Sequence, residues 1–126
     1  TQKKLDKALK SGAYNQSACL HIVTSKINWN EKAFNLQEVA KELDLGLDSF
    51  VFWDDNPLER DKMRTLLPQV LTVDVPNDIV KWPRLLRTIN CFAKFNVTAE
   101  DKKKSNQYKS RAKFINDLKQ DFRKKL

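Results

Sequence analysis

With 126 residues, 40% of them hydrophobic and 10% aromatic, the chain can bury the core of one ordinary domain and does not have the make-up of a disordered polymer. No apolar run approaches the roughly 18 residues a membrane span needs, and no signal-peptide pattern is present, so a cytoplasmic protein without a membrane partner is expected. The net charge of +8 would point to nucleic acid if it were spread over the body, but it is not. Residues 102–126 hold ten Lys or Arg against Asp117 and Asp121, whereas residues 1–101 hold fourteen basic and fourteen acidic side chains.

Two glycines in the whole chain favour helix and regular strand over many tight turns. The opening at Thr1, without Met, reads as a piece of something longer. Cys19 and Cys91 lack CxxC spacing, and His21 is the sole histidine, so zinc ligation is disfavoured and two reduced, core-type thiols are expected.

In chain order, residues 2–11 carry Leu5, Ala8 and Leu9 on one face and lysines on the other, a short amphipathic helix stopped at Gly12. Residues 18–23 read as a strand, with His21 half-buried rather than catalytic. After a loop, Asn30 is a suitable N-cap, and Ala33, Leu36, Ala40 and Leu43 recur at helical spacing until Gly46 ends the helix. Residues 49–53 form an apolar run of the kind buried on both faces of a parallel sheet. Residues 18–53 thus make a β-α-β unit, a right-handed crossover between parallel strands.

Pro57 suits the first position of a helix whose apolar face is Leu58, Met63, Leu66 and Leu67. Residues 70–75 give a third strand by β-branched content. Residues 78–92 read as a helix that Pro83 kinks or begins. Thr98 with Asp101 three residues later is a capping-box start, and Tyr108, Ala112, Ile115, Leu118 and Phe122 stripe the final helix. The order implies a parallel sheet flanked by helices.

The chemistry concentrates in Phe50-Val-Phe-Trp-Asp-Asp-Asn-Pro57. Two acids at the carboxyl end of a buried strand sit where open α/β sheets bind ligands, and their repulsion calls for a cation or a shared proton. The competing assignment makes Asp54 or Asp55 a helix cap. Magnesium accepts one or two carboxylates and usually binds with substrate phosphate, and phosphate chemistry wants a nearby positive charge. Lys26 and Lys32 follow the preceding strand, and the topology brings that turn to the same sheet edge as Asp54. No nucleophile and no Gly-rich phosphate loop is visible.

The segments Lys26-Ile-Asn-Trp-Asn-Glu-Lys32 and Glu42-Leu-Asp-Leu-Gly-Leu-Asp-Ser-Phe-Val-Phe-Trp-Asp-Asp-Asn-Pro-Leu-Glu-Arg60, with Leu71-Thr-Val-Asp-Val-Pro76 and Phe95-Asn-Val-Thr-Ala-Glu-Asp-Lys-Lys-Lys104, resemble the FkbH-like branch (subfamily IIIC) of the haloacid dehalogenase (HAD) superfamily over residues 26–113. The resemblance implies a Rossmann-like three-layer α/β/α core, Mg²⁺, a DxD nucleophile on the first strand and a phosphate-binding Ser or Thr on the second. It also implies a motif lysine, Lys32 with Lys26 as the alternative, and a fourth motif in which Asp54 and Asp55 hold the metal. Asn56 and Glu59 are expected just behind them. The reaction implied is dephosphorylation of a phosphorylated three-carbon acid, with glyceryl transfer to an acyl carrier protein.

No DxD motif precedes Lys26, so the expectation is a partial core. Three parallel strands are visible, the first two family strands are missing, and the parent chain supplies them. Residues 1–97 are the C-terminal half of the HAD-like domain and residues 98–126 a basic amphipathic helix bridging to a further domain. The chain alone is expected to be inactive. A different class of reading is a non-catalytic binding module whose basic helix meets an acidic partner or nucleic acid. The packed stripe on that helix disfavours nucleic acid. A receiver-like signalling domain is disfavoured because Asp74 lies inside the third strand rather than at its end.

Overall fold

The computed structural model describes residues 22–92 and 98–125. The expected first helix, Cys19, His21 and residues 18–21 of the expected first strand lie outside them. Among the described residues, four α-helices and short 3₁₀ turns surround a small parallel sheet of two strands. This is compatible with an α/β class. No helix among these residues is long and apolar enough to cross a membrane.

Helix α1 spans Lys32–Leu43. Its N-cap is Glu31, one residue later than expected, and Glu31 makes no side-chain cap bond. Asn30 is not the cap because the first helical hydrogen bond runs from Asn35 N–H to Glu31 O at 3.0 Å, while the Asn30 N–H donates to Asn28 Oδ1 at 2.9 Å. Asn28 and Asn35 exchange two amide hydrogen bonds of 2.9 and 3.1 Å, which tie the preceding loop to the helix. The helix stops earlier than Gly46. Asp44 takes the left-handed conformation at φ 55°, and the N–H groups of Asp44 and Leu45 reach back to the carbonyls of Lys41 and Ala40. Aspartate tolerates this region better than most residues with a side chain, so no glycine is needed there. Gly46 itself is extended, with φ −69°.

Strand β1 is only Val51–Phe52, after a 3₁₀ turn at Leu47–Ser49. Helix α2, Pro57–Leu66, starts as expected with proline in its first turn, and Asn56 caps it by accepting from Leu58 N–H at 3.0 Å. Strand β2, Leu71–Thr72, pairs in parallel with β1, Val51 opposite Leu71 and Phe52 opposite Thr72. The parallel crossover between these two strands is therefore present. Ile22 and Val23, the described end of the expected first strand, join no ladder.

Alternation along β1 sends Phe50 and Phe52 to one face and Val51 and Trp53 to the other. The first face packs on the core of Ala33, Met63, Leu67 and Val70. Met63 is 1% exposed and is the pin between α2 and the sheet; a side chain of its size gains roughly 1.5–3 kcal/mol from such burial. Leu58 and Leu66, expected on that face, are exposed, because the helix turns only one narrow stripe toward the sheet. The second face of β1 is half-covered. Trp53 meets Trp82 edge-on at 5.9 Å and 79°, and Trp82 Nε1–H donates to Pro76 O at 2.8 Å. The expectation of a strand buried on both faces is therefore corrected, since residues 50–53 are all half-buried.

Residues 78–92 do not form one helix. They break into a 3₁₀ turn at Ile79–Lys81, helix α3 at Trp82–Thr88 with Pro83 in its first turn, and another 3₁₀ turn at Asn90–Phe92. Cys91 is exposed on that last turn, which corrects its assignment to the core. Helix α4, Ala99–Lys125, begins with the expected reciprocal cap, Thr98 N–H to Asp101 Oδ2 and Asp101 N–H to Thr98 Oγ1, each 3.1 Å. Ala112 is buried and Tyr108 and Ile115 half-buried, whereas Leu118 and Phe122 are exposed. The stripe packs in the middle of the helix and runs out toward its end.

Candidate functional site

The site grows from the turn that ends β1. Asp54 follows the strand directly and its side chain is 8% exposed. Asp54 Oδ1 accepts from Asn56 N–H at 2.9 Å, closing a tight turn in which Asn56 is free to cap α2. This answers the alternative that either aspartate is the cap: Asn56 is. Asp54 Oδ2 takes the ammonium of Lys32, 22 positions earlier on the first residue of α1. Asp55, next in the chain, is exposed.

Lys32 is thus brought to the acids. Lys26 is not, because its ammonium lies on the carboxylate of Glu42, near the other end of α1. Glu59, on the first turn of α2, contributes negative charge toward Lys32 and lies 3.8 Å from Lys62. The sequence reading missed Arg60. Its Nη1 donates to the carbonyls of both Asp54 and Asp55 at 3.0 Å, so the guanidinium clamps the turn that carries the acids. The signal was available in the spacing: a helix beginning at Pro57 turns its fourth residue back over the loop that precedes it.

Burial pushes the Asp54 carboxyl up. The Lys32 hydrogen bond, the Asn56 N–H and the Lys32 charge together outweigh that, and hold it below its ordinary value of 3.8. The hydrogen bond to Asp54 raises the Lys32 ammonium above its ordinary 10.5; desolvation opposes this, and the charges of Asp54, Glu59 and Asp55 assist it. Both groups are therefore fully charged across the physiological range.

Two adjacent carboxylates are hard oxygen donors suited to Mg²⁺, which needs only one or two from a protein. Each Asp54 oxygen makes one hydrogen bond and keeps a second lone pair, and Asp55 is open to solvent. The donor set therefore fits one side of a magnesium site. Among the described residues no group of three or more His, Cys, Asp or Glu gathers at one point, so these residues would not enclose the ion.

Asp74 is exposed beyond β2 and pairs with Arg64 of α2, away from Asp54. No family model matches the chain, and no curated protein or solved structure matches it either.

Proposed function

We propose that the chain is the lysine-and-acid half of an FkbH-like HAD enzyme, acting with Mg²⁺ on a phosphorylated three-carbon acid and passing the glyceryl group to an acyl carrier protein. The observation that carries this reading is the Lys32–Asp54 pair at the carboxyl end of β1, with Asp55 beside it. A cation held over two acids at a parallel-sheet edge matches the needs of a phosphoryl group, whose charge must be offset as it transfers.

In this reading Asp54 and Asp55 hold the magnesium, which when bound supplies charge neutralisation at the phosphoryl oxygens. Lys32 binds a phosphoryl oxygen and is kept protonated and oriented by Asp54. Arg60 fixes the backbone from which both acids project, so that neither needs to reorganise as substrate arrives. The aspartate nucleophile belongs to a DxD strand contributed by another segment of the parent protein.

The test is phosphate release from a phosphorylated three-carbon acid by the protein that joins this chain to such a strand. Asp54→Asn, or removal of Mg²⁺, should lower turnover by about 100-fold or more, the scale of losing one group that stabilises transition-state charge. Equal release with Asp54→Asn and without Mg²⁺ overturns the reading.

A further inference from the structure

A second site lies on the other side of α1. The loop of residues 23–30, the α1 side chains Phe34 and Glu38, and the middle of α4 enclose an open cleft of about 790 Å³, within the size range of small-ligand sites. Its walls are polar and carry one dominant sign of charge. Lys26, Lys109, Lys113, Lys119 and Arg123 line it against only Glu38 and Asp117.

Two of the lining lysines are anchored on a buried carboxylate. Glu42 is 1% exposed and takes the ammonium of Lys26 together with that of Lys119, which lies 3.3 Å from Glu42 Oε1. Arg111 Nε–H donates to the Glu42 backbone carbonyl at 2.9 Å. Glu42 Oε2 is buried and has no hydrogen-bond partner. One carboxylate thus immobilises two ammonium groups from segments 16 and 77 positions away, while neutralising only one of them. Each lysine spends one of its three donors on Glu42. Phe34, 49% exposed, gives the cleft one apolar wall, and Asn28 and Asn116 add amides.

We propose that this cleft binds a phosphorylated small molecule with at least two negative charges, held by Lys26, Lys113, Lys119 and Arg123. Like-charged walls in a recess concentrate the field on an incoming anion. Ordering two of the lysines beforehand removes part of the entropy that binding would otherwise cost. The site is separate from Asp54, since its lysines come from α4 and the 23–30 loop rather than from the sheet edge.

The experiment uses pyrophosphate as the probe and follows backbone amide resonances of the full chain at low and high salt. Saturable shifts are expected at Lys26, Asn28, Phe34, Lys113, Lys119 and Arg123, weakening as salt rises. The exposed pair Lys113→Glu with Arg123→Glu should raise the dissociation constant by about tenfold or more, with Lys113→Gln and Arg123→Gln giving a smaller rise. Asp54→Asn should change it by less than about twofold, because distant sites act independently. Shifts that never saturate, or that centre on Lys32 and Asp54 and vanish in Lys32→Met, overturn the proposal. The second of those outcomes would leave the function proposed for the sheet edge standing, and the two claims fail separately.

Discussion

Helix α1 carries a charged cluster at each end, and the two make different use of the same ingredients. At its first residue, Lys32 reaches the buried carboxylate of Asp54; at its penultimate residue, Glu42 receives Lys26 and Lys119. About 15 Å of helix separates them. Each charge opposes the helix dipole, since a cation at the N-terminus and an anion at the C-terminus are both unfavourable locally. Tertiary partners are what hold both residues charged where they are. At the first end the lysine is half-exposed and Asp55, next to the buried Asp54, faces solvent, a geometry open to a ligand. At the second the carboxylate is sealed, and its lysines tie the loop and α4 to α1. The first end gathers two acids around one lysine and the second two lysines around one acid, so the first suits a cation and the second an anion.

The most direct way to break this contrast is to remove the sealed charge. Glu42→Ala leaves Lys26, only 16% exposed, without its counter-charge, and stripping one partner from a buried pair costs about 3–5 kcal/mol. Urea denaturation should show that loss. Amide exchange should localise it to α4 and the 23–30 loop, with the β1–α2 turn still protected. Equal deprotection at Asn56 and Leu58 would mean that the two ends are one cooperative unit and the distinction is false.

The open end should respond more mildly. Lys32 is half-exposed, so Lys32→Met should cost about 1–2 kcal/mol at neutral pH, between the surface and buried limits for an ion pair. The pH dependence has a definite sign. The lowered pKa of Asp54 means the stabilisation is present above its ordinary 3.8 and is lost as pH falls through the folded value. The raised pKa of Lys32 means it is present below 10.5 and is lost as pH rises through the folded value. One pair produces both limits, so the variant and the parent chain should converge in stability at the acid extreme. A gap that persists undiminished well below pH 3.8 would show that Lys32 acts through packing and not through charge.

Arg60→Ala probes the same end from the backbone side. It releases two carbonyls that now accept at 3.0 Å, at a cost of about 1 kcal/mol for hydrogen bonds partly replaced by water. Under the proposed function, added Mg²⁺ should shift the amides of Asp54 and Asp55, and those shifts should weaken in Arg60→Ala more than global stability does. Unchanged magnesium shifts would leave the guanidinium with a purely structural role.

How legible these features are in the sequence follows from the range of the interactions. Pro57, the Thr98–Asp101 box and the parallel pairing of residues 51–52 with 71–72 were readable because caps and β-α-β crossovers are local chemistry. Topology puts Lys26 and Lys32 alike at the edge of Asp54 and the resemblance favours Lys32; the structure brings Lys32 there and carries Lys26 to Glu42. Glu42 was not readable as a partner. Its lysines come from 16 and 77 positions away, and no pattern within one helix specifies them. The clue lay in α1 itself: Glu42 sits in the last turn, where the dipole disfavours an acid. The length of the strands was overestimated for a related reason. An apolar run says that residues 49–53 avoid water, whereas ladder hydrogen bonds depend on a neighbour, and β2 supplies one for two residues only.

The smallest expected effect sharpens the comparison because it touches one end of α1 alone. Asp44 closes the helix at φ 55°, where a side chain on Cβ crowds its own backbone and glycine does not. Asp44→Gly should therefore stabilise the chain by about 0.5–1 kcal/mol, and it removes an acid from the negative end of the helix dipole. Because Asp44 is two residues from Glu42, the gain should appear as slower amide exchange at Leu43 and Leu45 and at the α4 residues docked near them. Exchange at Lys32 and at the Asp54 turn should stay as it was. Equal slowing at both ends would show that α1 transmits stability along its whole length, and the open site would then be coupled to the clasp it was contrasted with.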